Sequence, residues 1–289
     1  MTRAVVLGDA VLDVVVRPSA LPRAGADVPA TIRLGAGGQG ANLAVRLARR
    51  GVATELVCGL GTDPGAELVR HAIEPDGVRL RSVQVDGTGS VVILLDDAGE
   101  RTMLSHRAPF AGAVDPAELP ASDWTVVSGY LLLERGAERL AGALARRTGR
   151  RALVGCAVPE ADVAAWTDAA TALRPHLVIL NRDEAAALDP TPSAPLVVVT
   201  DADGATATTA PHSVSLRAAP GPAALDTTGA GDAFAATLIA ALDPDTWPPD
   251  RAAIVEALAA AVSLASAVAY EPGAQARVAG EAPSAGVRA

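Results

Sequence analysis

The chain has 289 residues, half of them hydrophobic, a fifth charged and only 2% aromatic. That composition supports a sizeable core packed by Ala, Val and Leu and excludes wholesale disorder. A net charge of -9 disfavours non-specific nucleic-acid binding, which needs a basic face, but local backbone dipoles can still hold an anionic small ligand.

In chain order, "RAVVLGDAVLDVVVR" begins as a buried strand and turns at Gly8 and Asp9, and "VPATIRLG" alternates as a half-exposed strand does. "NLAVRLARRG", from Asn42 to Gly51, is a helix with a glycine stop. "TELVCGLG" is a strand, and "DPGAELVRHAIEPDGV" a helix opened by Asp63 and Pro64. Residues 82 to 106 look like a hairpin turning at Asp97-Ala98-Gly99. The strands "WTVVSGYL", "RALVGCAV", "HLVILN" and "PLVVVT" then alternate with the helices "RGAERLAGALARRT", "EADVAAWTDAATAL" and "RDEAAAL". Buried runs alternating with helices predict a mainly parallel sheet covered on both faces. The last third is helical, broken by "DPDTWPPD". A single α/β domain over 1–289 is expected, with a small β appendage from about 15–35 and 82–108.

Several chemistries are excluded early. All 24 basic residues are arginine, so a Walker A loop and a lysine Schiff base are impossible. Cys58 and Cys156 sit inside apolar runs and read as small buried residues. Asp9 and Asp13 interrupt the N-terminal apolar run, unlike a signal peptide. "EALAAAVSLASAVAY" is too short to cross a bilayer. A soluble cytoplasmic protein with no nucleic-acid or membrane partner is expected.

"GAGGQG", residues 35 to 40, spells the dinucleotide pattern G-x-G-x-x-G, with Glu55 at about the ribose-binding distance. That fingerprint belongs directly after a buried parallel strand. Here the preceding "ATIRL" alternates polar and apolar residues, and Glu55 opens the next strand instead of ending it. A dinucleotide site is therefore rejected. The glycines supply close backbone approach and a turn into a helix. Asn42 near its start could bond a hydroxyl-rich ligand as donor and acceptor or merely cap the helix.

"DTTGAGDAF", residues 226 to 234, is more specific. Gly229, Ala230 and Gly231 lead straight into a helix, where successive N–H groups and the helix dipole form an anion hole. Asp232 at that terminus would repel phosphate. Its presence makes sense if it takes a proton from an attacking hydroxyl.

With these motifs the sequence resembles the ribokinase-like (PfkB) family of carbohydrate kinases, in order along most of the chain. "GDAVLD" is similar to the family's first strand with its substrate-binding aspartate, here Asp13, and "GGQGANLAVRLARRG" to its first signature, with Gly38 and Asn42 on the sugar side. "GTGSVVILLDDAGERTM" resembles the lid hairpin, "LNRDEAAAL" the N-x-x-E motif and "DTTGAGDAF" the second signature.

The resemblance implies a three-layer ribokinase-like core of about nine strands with a small β-sheet lid, one that often pairs with a second subunit. It implies transfer of the γ-phosphoryl of ATP to a hydroxyl, with Mg²⁺. By the same resemblance Asp232 is the base and the 229–231 backbone holds the phosphoryl. Asn181 and Glu184 order Mg²⁺ and its waters. Asp226 and Thr228 belong to a monovalent-cation (K⁺) site found in many members, and Thr200 and Gly204 stand in the nucleotide-side loop.

Two departures stand out. Cys156 occupies a place that is often acidic, and Ala202 replaces the loop's first glycine. Glu134 either reaches the substrate or is an exposed helix-start residue. A sugar or sugar-like acceptor is expected. A nucleoside kinase and a non-catalytic ligand-sensing relative are the alternatives, with Tyr130 and Phe110 the aromatics available to stack a base. The unbroken apolar run Val91–Leu95 needs cover on both faces, either from a second lid in a homodimer or from the chain's own core.

Overall fold

The computed structural model describes residues 1–20, 22–96, 101–188, 192–219, 228–271, 273–278 and 281. The chain opens with strands β1 (Arg3–Leu7), β2 (Val11–Pro18) and β3 (Ala30–Gly37), then helix α1 (Gln39–Arg49), strand β4 (Ala53–Leu60) and helix α2 (Pro64–Ile73). Strands β5 (Arg79–Gln84), β6 (Ser90–Leu95), β7 (Arg101–His106) and β8 (Trp124–Ser128) follow, and then helix α3 (Ala137–Leu144). Next come β9 (Arg150–Val154), α4 (Val163–Leu173), β10 (Leu177–Asn181), α5 (Arg182–Ala187) and β11 (Leu196–Asp201). Strands β12 (Gly204–Thr208) and β13 (Ser213–Arg217) and helices α6 (Ala230–Ala241) and α7 (Arg251–Val268) complete the described elements.

Nine strands form one sheet in the order β13-β12-β11-β10-β9-β8-β1-β4-β5, parallel from β11 to β5, with β12 and β13 added antiparallel at one edge. Alternation along β1 divides the core. Ala4 and Val6 join Leu43, Leu47, Trp124 and Leu258 on one face. Val5 and Leu7 join Leu131, Leu140 and Trp166 on the other. These are the two outer layers that buried parallel strands require.

The chain runs from β1 to β4 and β5 on one side, then crosses to β8 on the other. The sheet therefore reverses direction between β1 and β8. Ligands of open α/β sheets bind outside the carboxyl ends of the strands at such a switch point.

The second sheet has the order β3-β2-β6-β7. It is the lid. Its rear segment begins later than the sequence pattern implied, because residues 79–84 pair with β4 inside the main sheet. Residues 90–95 and 101–106 form the hairpin, whose turn Asp97-Ala98-Gly99 lies outside the described residues.

Other boundaries shift for local reasons. "WTVVSGYL" is a strand only to Ser128, and Gly129–Leu133 is a 3-10 turn whose first carbonyl accepts the Trp166 indole N–H at 2.8 Å. Helix α1 begins at Gln39, three residues before Asn42. Asn42 is thus inside the helix, and the capping role falls away. Asp63 does cap α2, accepting from the Ala66 N–H at 3.1 Å. Helix α7 has 18 residues, long and apolar enough by length and composition to cross a membrane, which corrects the shorter reading from the sequence. Its Ile254, Ala257, Leu258 and Ala261 are buried in the first core cluster.

Candidate active site

Two cavities lie on either side of the start of α6. The first, about 730 Å³, is lined by the lid (Asp13, Val15, Arg33, Ile93) and reaches Thr228 and Gln275. The second, about 1230 Å³, is lined by Asn181, Thr200, Gly204 and Tyr270 and reaches Ala230 and Gly231. Residues 229–231, where the sequence predicts an anion hole, therefore lie between them.

Gly229 precedes α6 at φ 76°, and a Cβ there would lie 2.5 Å from the Ala274 carbonyl oxygen, so the residue must be glycine. The first intrahelical bond runs from Ala233 N–H to Gly229 C=O. The N–H groups of Ala230, Gly231 and Asp232 precede it and have no intrahelical acceptor.

Asp232 Oδ2 accepts from Asn42 Nδ2 at 2.8 Å, and Asn42 Oδ1 accepts from Gln275 Nε2 at 3.1 Å. Helix α1 and the C-terminal segment thus hold the carboxylate through one carboxamide. Burial pushes the Asp232 carboxyl up to about 7; Asp9 and Glu184 add to this, while the Asn42 bond and Arg46 oppose it. Such a group can accept a proton at neutral pH.

At the base of the lid, Asp13 is raised to about 6 by burial and by Asp9, against Arg107. Gly38 has a positive φ of 94°, and a Cβ there would meet the Asp9 carbonyl oxygen at 2.6 Å. The first glycine run is thus a tight turn from lid strand into helix against the end of β1. Glu55 is bonded to Arg81 at 2.6 Å, so it is already partnered and serves no ribose.

Asn181 and Glu184 form a reciprocal capping box at α5: Glu184 N–H donates to Asn181 Oδ1 at 2.8 Å and Asn181 N–H donates to Glu184 Oε2 at 2.9 Å. Burial raises the Glu184 carboxyl. Thr200 pairs with Asn181 across β10 and β11, and Gly204 closes the β11–β12 turn opposite Asp201. Asp226 lies outside the described residues. The Thr228 hydroxyl accepts from Arg101.

Phe110 is buried in the second core cluster and cannot stack a ligand. Tyr130 has the Arg107 guanidinium 3.6 Å over its ring centroid. Glu134 neither reaches a ligand nor starts a helix, because its Oε2 accepts the Phe110 and Ala111 N–H groups, each at 2.7 Å. Cys58 and Cys156 are buried free thiols, both pushed up to about 12 by burial.

Sequence reasoning missed four residues here. Asp9 pairs with Arg107 and lies within "GDAVLD", where only Asp13 was singled out. Gln39 accepts from Ser128 Oγ at 2.6 Å and donates to the Gly155 carbonyl at 2.7 Å, tying α1 to the ends of β8 and β9. Gln275 carried no local signal, being 233 residues from Asn42.

The family model for pfkB family carbohydrate kinases matches residues 1–279. The chain belongs to the pfkB family. It is 28% identical over 284 residues to a fructokinase of Klebsiella pneumoniae, covering 89% of each chain. Ribokinase from Thermotoga maritima superposes with a TM-score of 0.77 at 20% identity over 95% of each chain. Adenosine kinase from Sinorhizobium meliloti gives 0.76 at 20% identity over 96% of each. The fold is ribokinase-like, and this pfkB member is a kinase of a sugar or nucleoside.

Proposed function

We propose that the chain transfers the γ-phosphoryl of ATP to a hydroxyl of a sugar or sugar-like acceptor, the nucleotide entering the second cavity and the acceptor the first. The observation that carries this reading is the start of α6, with Thr228 in one cavity and Gly231 in the other. As the acceptor oxygen bonds to the γ-phosphorus, Asp232 takes its proton, and the bond from phosphorus to the bridging oxygen breaks with ADP leaving. The N–H groups of 229–231 hold the moving phosphoryl, whose charge they meet with no reorganisation. Asp13, Gly38 and Asn42 hold the acceptor. Thr200 and Gly204 border the nucleotide.

Among the described residues no group of three or more acidic, histidine or cysteine side chains could cage a metal. Mg²⁺ keeps several waters and needs only one or two carboxylates besides phosphates. Glu184, with Asn181 beside it, would hold the hydrated ion, which supplies charge neutralisation on the phosphates. K⁺ would fall to Asp226 and Thr228, and a K⁺ titration of the rate checks that assignment.

A sugar is favoured over a nucleoside because none of the described residues lining the first cavity is aromatic. The second cavity carries the exposed Tyr270, which can pack on adenine; Phe234 is buried in the first core cluster.

The lid supports a homodimer. Register places Leu34, Val14, Val92 and Leu104 in one row and Ile32, Val16 and Leu94 in the next, all on the face away from Asp13. Ile32, Leu34 and Leu104 are each about 60% exposed, a patch that a second lid would cover. Light scattering at micromolar concentration tests this, and a strict monomer contradicts it.

A coupled ADP-release assay over pentoses, hexoses and nucleosides tests the reaction. Acceptor-dependent ADP release is expected, and a nucleoside as the best acceptor would reverse the sugar reading.

A further inference from the structure

The inner face of the lid carries an excess of positive charge. Asp13, Val15 and Arg17 alternate along β2 and point to the first cavity, as do Thr31, Arg33 and Gly35 of β3 and Ile93 and Leu95 of β6. Arg101 of β7 lines the same cavity, pairs with Leu95 in register and donates to Thr228 at the start of α6. Among the described lining residues there are three arginines and one carboxylate, Asp13. This is a local reversal of sign in a chain of net charge -9.

Arg17 stands opposite Thr31 and Arg33 opposite Val15, so the two arginines are diagonal neighbours, about 7–8 Å apart at Cβ, within reach of long side chains. Neither Arg17 nor Arg33 has an ion-pair partner among the described residues. Two like charges side by side on one sheet face repel each other, and a shared anion turns that cost into two charge-assisted hydrogen bonds.

We infer that the acceptor carries an anionic group, a carboxylate or a phosphate, which Arg17 and Arg33 bind from the lid while a hydroxyl at the other end of the molecule faces Asp232. The inference rests on the reading of the first cavity as the acceptor site. Geometry supports the separation of the two ends. Arg33 lies one row, and Arg17 two rows, beyond Asp13 on the same face, roughly 7 and 13 Å along the strands at about 3.3 Å per residue. A chain of five or six carbons spans the shorter of these distances, and an arginine side chain reaches back over the longer.

The test compares fructose, fructose 6-phosphate and 2-keto-3-deoxygluconate as neutral, phosphate and carboxylate probes. Binding is read by calorimetry without nucleotide and turnover by ADP release. At least one anionic probe should bind roughly ten- to a hundredfold more tightly than fructose, as one or two charge-assisted bonds provide, and added salt should weaken that binding. Arg17→Gln and Arg33→Gln should each lower the ratio of anionic to neutral affinity, and the arm that responds identifies the carboxylate or the phosphate.

Fructose binding as tightly as both anionic probes, or neither anionic probe binding, overturns the inference. So does an affinity ratio unchanged in both arginine variants. Tight anionic binding without any turnover leaves the inference standing and removes the phosphotransfer reading instead.

Discussion

The two cavities on either side of α6 are built from different materials. The first is roofed by a four-stranded sheet that is largely exposed and carries arginines inward. The second is walled by the ends of the main sheet and by α6 and α7, and offers Phe234, Val262 and Tyr270. One wall belongs to the core. The other is a small sheet whose own buried cluster is Val11, Val91 and Ile93, too small to fix it as firmly. The difference fits the proposed division of tasks, in which the core side takes ATP and the lid side selects the acceptor. Asp232, held from α1 and from the C-terminal segment, belongs to neither wall.

The largest effect should come from that shared point. Asp232→Asn keeps size and the contact with Asn42 but removes the proton acceptor, so turnover should fall roughly 10²–10⁴-fold with little change in either affinity. The same variant should be more stable than the parent. Because the folded carboxyl titrates near 7 and an unfolded one near 4, the folded state binds the proton more tightly. Stability therefore falls as pH rises between those values. Removing the charge should raise the unfolding free energy at pH 8 by about 1–4 kcal/mol, and by nothing at pH 3. Urea melts at the two pH values check this.

A second break lies in the clamp behind Asp232. Arg46 and Glu281 form an ion pair at 2.7 Å with side chains 0% and 1% exposed. Arg46 also donates to the Ala274 carbonyl at 2.9 Å, and Arg49 to that of Gln275 at 2.9 Å. These contacts fix the segment that presents Gln275 to Asn42. Glu281→Gln leaves Arg46 buried and uncompensated, which should cost about 3–5 kcal/mol. The double variant Arg46→Met/Glu281→Leu should recover most of that loss in the same melts, and an equally unstable double variant would show that the segment needs the ion pair itself.

The two walls can be separated kinetically. Asp13→Asn should raise KM for the acceptor more than it lowers kcat, leaving KM for ATP within about threefold, whereas Asn42→Ala, which releases the Asp232 carboxylate, should lower kcat as well. Below pH 7, kcat/KM should fall about tenfold per pH unit as Asp232 takes up its proton. A profile flat from pH 5 to 8 would contradict the base assignment. Smallest of all, Tyr270→Ala should raise KM for ATP by a few-fold, the order of one aromatic packing contact, without touching the acceptor.

Much of this was legible in the sequence because the signals were local. "DTTGAGDAF" announces a helix start with a carboxylate in its first turn, and the structure puts Gly229 and Asp232 there. Buried apolar runs gave the parallel strands, since nothing but a covered sheet accommodates them. Residues 82–84 read as part of the hairpin because the partially buried edge strand β5 alternates much as a lid strand does. Strands β12 and β13 went unseen: "GATAT" and "SVSLR" are short and weakly apolar, and their pairing along the sheet edge is antiparallel and set by the turn at Gly204. The Gln275–Asn42–Asp232 chain was invisible for a different reason. It joins three segments far apart in the chain, and no periodicity encodes such a contact.

The central claim is that a phosphoryl group passes from the second cavity to the first across the start of α6. The most direct test follows the label from [γ-³²P]ATP in the presence of the acceptor mixture. The account predicts that label appears covalently in an acceptor at a rate that falls at least 10²-fold in Asp232→Asn. Label released only as inorganic phosphate, or transferred equally well by the variant, would contradict it.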